Sequence, residues 1–237
     1  MRVAIMQPYF FPYLGYFDLL YNVDLFIIYD TVQYIRRGWI HRNRILHQHK
    51  SGWQYIIVPT EPTPQKTPIR DVRIKKSIPW QAHILGQMEH YRNTAPHAER
   101  ISHFVKDCLF NQETFISQLN VQILVRCSQL LNLNFKYQFC SGLNIELEKE
   151  RTAEERILDL CEYLDAKEYV NLPGGVDLYN PEAFESRNIK LTFRNHPSFT
   201  YSTAQYEFEP NLSIIDVLMW NEPEDIKKYL DHYKDNS

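Results

Sequence analysis

The run Val3-Ala4-Ile5-Met6 breaks at Gln7-Pro8 into an aromatic loop closed by Pro12, and this junction limits the possible folds more than any other stretch. An apolar run stopped by a proline-containing loop predicts a short buried strand over residues 3–6. Leu14, Phe17, Leu20 and Tyr21 then recur at roughly helical spacing, which predicts a helix over residues 14–22 with one apolar face. A second apolar run over residues 25–29 is β-branched and aromatic, and it ends on Asp30. Strand, helix and strand at this length form a crossover unit whose strands lie parallel in one sheet.

Open parallel sheets bind ligands at the carboxyl ends of their strands, so residues 7–13 and 30–44 are expected side by side at that edge. Residues 36–44 hold four arginines, Arg36, Arg37, Arg42 and Arg44, interleaved with Gly38, Trp39, His41 and Asn43. Guanidinium forks grip phosphate and carboxylate oxygens in pairs, and an indole offers a flat face to a base or sugar ring. An anion-binding wall beside a stacking platform is expected, with Gln7, Tyr9 and Tyr34 contributing. The competing reading makes the arginines a solvated face and Trp39 a core residue. The mixture of Arg, Gly, Trp and Asn packs no regular helix or strand face, which favours binding.

Residues 53–58 read as a third strand stopped at Pro59, and the proline-rich residues 60–68 as a surface loop. Residues 69–75 alternate apolar and charged, which predicts a half-exposed strand near a sheet edge. Residues 80–91, 96–110 and 113–133 then predict three successive helices, a candidate subdomain covering the ligand edge. The second half resumes with a strand over 135–140 and a polar connection over 143–149. Thr152 and Glu155 form a capping box that launches a helix, followed by a strand over 168–171, a Pro-Gly-Gly loop, a short helix over 181–186 and a strand over 190–194. Gly174 and Gly175 would let backbone amides approach an anion or sugar closely, although Pro-Gly-Gly also makes ordinary turns. Ser213 to Asp216 reads as another capping box, with Asp216 a cap, opening an apolar helix; Pro223 starts the last helix. The chain is therefore expected to be α/β, a mostly parallel Rossmann-like sheet with a helical insertion, divided as 1–78, 79–134 and 135–237.

Net charge is -3, so a general nucleic-acid coat is disfavoured and the basic cluster is local; RNA binding through it would call for a wider basic surface. DNA is not an expected partner. Cys108, Cys127, Cys140 and Cys161 include no Cys-x-x-Cys pair and read as reduced, buried thiols of a cytoplasmic protein, and no histidine pair has helical zinc spacing. No segment reaches membrane-spanning length. No permanently bound cofactor or metal is expected.

Met6-Gln7-Pro8-Tyr9, Arg37-Gly38-Trp39, Arg42-Asn43-Arg44, Gly174-Gly175 with Tyr179, and Leu212-Ser213-Ile214-Ile215-Asp216 together resemble the WbqC-like family over nearly the whole chain. That resemblance implies a place in O-antigen or capsule assembly, in lipopolysaccharide biosynthesis, and some members carry the label glycine transferase. The opening strand, loop and helix also resemble the nucleotidyltransferase fold, whose His-x-Gly-His tetrad would fall on Tyr13-Leu14-Gly15-Tyr16. The glycine is kept and both imidazoles are gone. Tyrosine, titrating near 10, cannot offer a leaving pyrophosphate positive charge, so nucleotide binding is implied and adenylyl transfer is not.

The reading is a transferase that passes a glycyl or other small acyl group to an amino sugar, on a nucleotide-activated sugar or another phosphorylated small molecule. The arginines would hold a diphosphate, Trp39 or Tyr34 would stack on base or sugar, and Asp30 or His41 would take the amine proton. Asp30 serves equally well as a turn residue, and Cys140 as a thioester nucleophile competes with a buried structural thiol. The alternative is a non-catalytic module binding a sugar nucleotide or an acyl-carrier protein.

Overall fold

The computed structural model describes residues 1–49, 51–145, 151–195 and 198–234. In chain order the elements are β1 (Arg2–Met6), α1 (Leu14–Tyr21), β2 (Leu25–Ile28), β3 (Arg42–Leu46), β4 (Trp53–Ile57), α2 (Trp80–Met88), α3 (Ala98–Leu109), α4 (Ile116–Leu130), β5 (Tyr137–Phe139), α5 (Ala153–Tyr163), β6 (Glu168–Asn171), α6 (Pro181–Glu185), β7 (Lys190–Phe193), α7 (Ile214–Trp220) and α8 (Pro223–His232).

Five strands form one sheet in the order β5-β2-β1-β6-β7, and every pairing in it is parallel. This is the Rossmann-like arrangement expected from the opening crossover unit. Strand residues alternate between faces, and the two cores divide accordingly. Ala4, Phe26 and Ile28 join the larger core with α1 to α4, α7 and the β3–β4 hairpin. Val3, Ile5 and Ile27 join the smaller core with Ile157, Leu158, Cys161 and Phe184 of α5 and α6. Helices therefore cover both faces of the sheet, and the larger core draws on residues from all three stretches of the chain.

Three elements differ from expectation. Residues 42–46 form a strand instead of a loop, and β4 pairs with it antiparallel in a separate two-stranded sheet. Residues 69–75 form no strand: a 3-10 turn at Ile69–Asp71 is followed by isolated bridges, Thr60 with Ile74 and Arg73 with Phe115. Ile69, Val72 and Ile74 are all buried, so the apolar side chains point inward from a turn and not from one face of a strand. Asp216 does not complete a capping box. Ser213 Oγ accepts from Ile215 N as the N-cap, while Asp216 turns into the core and accepts from Tyr91 Oη at 2.5 Å and Tyr201 Oη at 2.6 Å. Burial pushes its carboxyl up to about 6. The Thr152–Glu155 box forms as expected, whereas part of the expected polar connection, 146–149, lies outside the described residues.

A buried ion pair ties α1 to the end of β7. Arg194 donates to Asp18 from Nε at 2.5 Å and from Nη2 at 3.0 Å, and both residues are almost fully enclosed. Asn22 Nδ2 also donates to Asp18 Oδ1 at 3.1 Å. Removing one partner leaves the other charge buried and unpaired, so Arg194→Ala is expected to cost about 3–5 kcal/mol. Urea unfolding of wild type and variant checks this; a loss under about 1 kcal/mol would show that water reaches Asp18.

Candidate functional site

β1 leads to β2 on one side of the sheet, while its other neighbour is β6, so the strand order reverses between β1 and β6. Parallel sheets open a crevice at such a switch point, outside the carboxyl ends of the strands. A cavity of about 440 Å³ occupies this position. Met6 and Gln7 line it from the end of β1, Asn171 and Leu172 from the end of β6, and Arg156 and Ile157 from α5. Tyr9, Tyr13 and Trp39 form a wall that it shares with an adjoining chamber of about 190 Å³, which Asn43, Arg44 and Asn211 complete.

The loop carrying Gln7, Tyr9 and Tyr13 is held by its carbonyl oxygens. Tyr16 Oη donates to Gln7 O at 2.9 Å, Asn120 Nδ2 to Pro8 O at 2.8 Å, and Asn43 Nδ2 to Phe10 O at 3.0 Å and Phe11 O at 2.9 Å. Ser213 Oγ donates to Phe11 O and Ile214 N to Pro12 O, each at 2.8 Å. Phe10 and Phe11 are fully buried and anchor the loop from below. Asn120 also donates to Ile40 O at 2.7 Å, and Phe10 N donates to Trp39 O at 2.9 Å, so the loop and the Trp39 segment are locked together.

Among the sequence candidates, Gln7, Tyr9, Trp39, Gly174 and Gly175 line the main cavity, and Asn43 and Arg44 line the chamber. The other arginines diverge. Arg36 Nη2 donates to Thr63 O at 2.6 Å; Arg42 donates to Arg37 O and lies 4.0 Å over the Tyr55 ring; Arg37 is exposed with φ of 64°. Arg44 sits 5.0 Å from the Trp53 ring and 5.4 Å from the Trp39 ring. Tyr34 is buried and meets the His41 ring edge-on at 5.6 Å.

Asp30 is 1% exposed. Its two oxygens accept from Ser141 N at 2.9 Å and Ser141 Oγ at 2.6 Å, which fixes β2 to the segment after β5. Cys140 is buried beside it; burial raises its thiol, and Thr31 Oγ1 donates to its Sγ at 3.4 Å. His41 is driven down to about 4 by burial first and by the Arg42 charge second. Neither Asp30 nor His41 is among the residues lining the cavity or the chamber.

Sequence reasoning passed over Arg156, Asn171, Tyr29 and Asn211. Arg156 carried a usable signal, because a crossover helix runs antiparallel to its strands and its first turn returns to their carboxyl edge. The capping box marks that turn. It also occupies the helix end with Glu155, so the positive charge facing the cavity comes from Arg156 and not from the helix terminus. Burial raises all the cavity tyrosines, Tyr13 and Tyr29 to about 12, so their hydroxyls stay neutral. The described lining residues of both spaces include two arginines and no Asp, Glu, His, Lys or Cys.

The two glycines differ. A Cβ on Gly174 meets nothing within 4 Å, whereas one on Gly175 comes within 2.6 Å of Asn171 Nδ2 and 3.3 Å of its Cγ. Asn171 cannot simply rotate away, since its Oδ1 accepts from Leu172 N at 2.8 Å. Gly175 N donates to Leu172 O at 3.0 Å, so this glycine packs the loop against β6. Gly175→Ala is therefore expected to lower the melting temperature by about 2–4 °C, through roughly one lost hydrogen bond, with Gly174→Ala within about 1 °C of wild type. Calorimetry on both variants decides it, and equal melting temperatures would refute the packing role.

The His41 shift predicts a pH effect of definite sign. Its folded value lies below the unfolded value near 6.5, so between the two the unfolded chain binds a proton that the folded chain does not. This contribution to stability is complete above about 6.5 and falls as pH drops towards about 4. The raised Asp216 acts oppositely, penalising the folded state as pH rises through about 6. Unfolding curves at several pH values should show a shallower acid loss in His41→Gln than in wild type; parallel curves would mean that His41 titrates normally.

The model of the WbqC-like protein family matches residues 7–228. The chain is also 32% identical over 219 residues to an uncharacterized protein of Mycobacterium tuberculosis, Rv1507c, covering 92% of each chain. No solved structure matches it.

Proposed function

The chain belongs to the WbqC-like protein family, and on that basis we propose that it is a cytoplasmic transferase of surface-polysaccharide assembly that binds a nucleotide-activated sugar at the β1–β6 crevice and passes a glycyl or other small acyl group to the sugar's amine. The observation that carries this reading is the cavity itself. It lies at the switch point of a parallel sheet, is walled by aromatic rings, and has arginine as its only charged residue type among the described lining residues. In this reading Arg156 holds the diphosphate beside the open face of Gly174, while Trp39, Tyr9 and Tyr13 take the flat faces of base or sugar.

The transfer breaks the bond between the acyl carbon and its leaving group and forms an amide to the sugar nitrogen. The amine proton departs with the leaving group, as an activated ester or thioester donor on an acyl-carrier protein permits. Asp30 is held by Ser141, neither Asp30 nor His41 lines the cavity, and the neutral tyrosines are poor bases at pH 7. Rate enhancement would come from holding the amine against the acyl carbon. The same shortage of bases favours one second reading, a sugar-nucleotide binding module without turnover.

A thermal-shift series with nucleoside diphosphates and nucleotide sugars tests the proposal. Ligand at about 100 times its dissociation constant adds roughly 2.7 kcal/mol, several degrees for a chain of this size. The shift should disappear in Arg156→Gln and persist in Arg37→Ala, whose guanidinium is outside the cavity. Absence of any shift overturns the proposal. A shift without acylated sugar, when an activated glycyl donor is supplied, leaves the binding-module reading in its place.

A further inference from the structure

The chamber at Arg44 is a second cationic pole of the same cleft, and the nucleotide reading places no group of its ligand there. Its side chains make a demanding set. Arg44 Nη2 donates to Asn211 O at 3.3 Å, while its Nε is buried and has no hydrogen-bond partner. The guanidinium carbon lies within cation–π reach of two indoles, 5.4 Å from the Trp39 ring centre and 5.0 Å from the Trp53 ring centre. The Asn43 amide is fully occupied by Phe10 O, Phe11 O and Arg44 N, so it frames the chamber without being offered to a ligand. Tyr9 and Tyr13 add neutral hydroxyls, which donate to an anion without repelling it.

We infer, resting on the nucleotide-sugar reading above, that the Arg44 chamber holds a carboxylate carried by the sugar, so that the ligand is an acidic, uronate-type nucleotide sugar. Size and charge both select this class. About 190 Å³ admits roughly one sugar ring, and aromatic faces on the shared wall suit the ring's apolar side. A planar guanidinium holds one carboxylate in its plane through two N–H donors, and Arg44 is the chamber's one charged side chain among the described lining residues. A second phosphate would bring nearly two charges to a single arginine. The described lining residues of the chamber include no carboxylate to repel the group. The nucleoside diphosphate end would then lie towards Arg156 and the acidic sugar towards Arg44, with Tyr9, Tyr13 and Trp39 in contact with the span between them.

Isothermal titration at fixed ionic strength tests this with two matched pairs, UDP-glucuronate against UDP-glucose and GDP-mannuronate against GDP-mannose. Each pair differs only in a carboxylate for a hydroxymethyl group. In at least one pair the acidic member should bind about tenfold or more tightly, as expected for charge-assisted hydrogen bonds. The preference should collapse to within about twofold in Arg44→Gln. Arg44→Lys, which keeps the charge and the packing stem but loses the fork, should retain only part of it and guards against a folding defect in Arg44→Gln. Equal affinity within each pair, or a preference that survives in both variants, overturns the inference while leaving the nucleotide-sugar reading intact. Failure of all four to bind wild type overturns the inference, and the thermal-shift series with nucleoside diphosphates and nucleotide sugars decides separately whether the reading beneath it stands.

Discussion

A loop that carries two prolines and two fully buried phenylalanines can exist in a protein interior only if its carbonyl oxygens find donors, and residues 7–12 meet that condition almost entirely through side chains. Asn43 and Asn120, 3% and 0% exposed, each place both amide hydrogens on a backbone oxygen. Leaving such carbonyls buried and unbonded costs about 1–3 kcal/mol apiece, so the loop and its two asparagines stand or fall together. The donors come from β3, α4 and the cap of α7, elements far apart in sequence, which makes this loop the meeting point of the larger core.

That constraint explains the character of the cleft. Because Phe10 and Phe11 point inward while Tyr9 and Tyr13 line the cavity, one aromatic segment supplies both core packing and the cavity wall. Rings held by a pinned backbone lose little freedom when a ligand stacks on them, so the wall is prepared before binding. The charges are prepared likewise: Arg44 is braced by indoles and an asparagine carbonyl.

The sheet and its edge were legible because apolar runs, a proline stop and a capping box are local signals. Gln7, Tyr9, Trp39, Asn43 and Arg44, which the topology implied by those signals puts at the sheet edge, line the cleft there. The β3–β4 hairpin was hidden because Arg42-Asn43-Arg44 has a polar inner residue: Asn43 faces the core to hold carbonyls, so the usual alternation of apolar and polar is missing. Residues 69–75 misled in the opposite sense, showing alternation where single-residue bridges replace a ladder. Asp216 has the spacing of a capping residue, and only the tertiary approach of Tyr91 and Tyr201 turns it inward.

The dispersal of the arginines follows from the same hairpin. Arg42 and Arg44 lie two residues apart on β3, and therefore on one face, and each reaches diagonally past its own partner, Ile57 or Tyr55, to the next ring along β4. Arg42 stacks on Tyr55, whereas Arg44 lies over Trp53 and reaches Trp39 at the cleft. The run of four cations is thus not one cluster: Arg44 alone of the four lines the cleft, with Arg156 of α5 on the other side of the aromatic wall. The separation of these two charges is set by the pinned loop between them, whose Tyr9 and Tyr13 line both spaces.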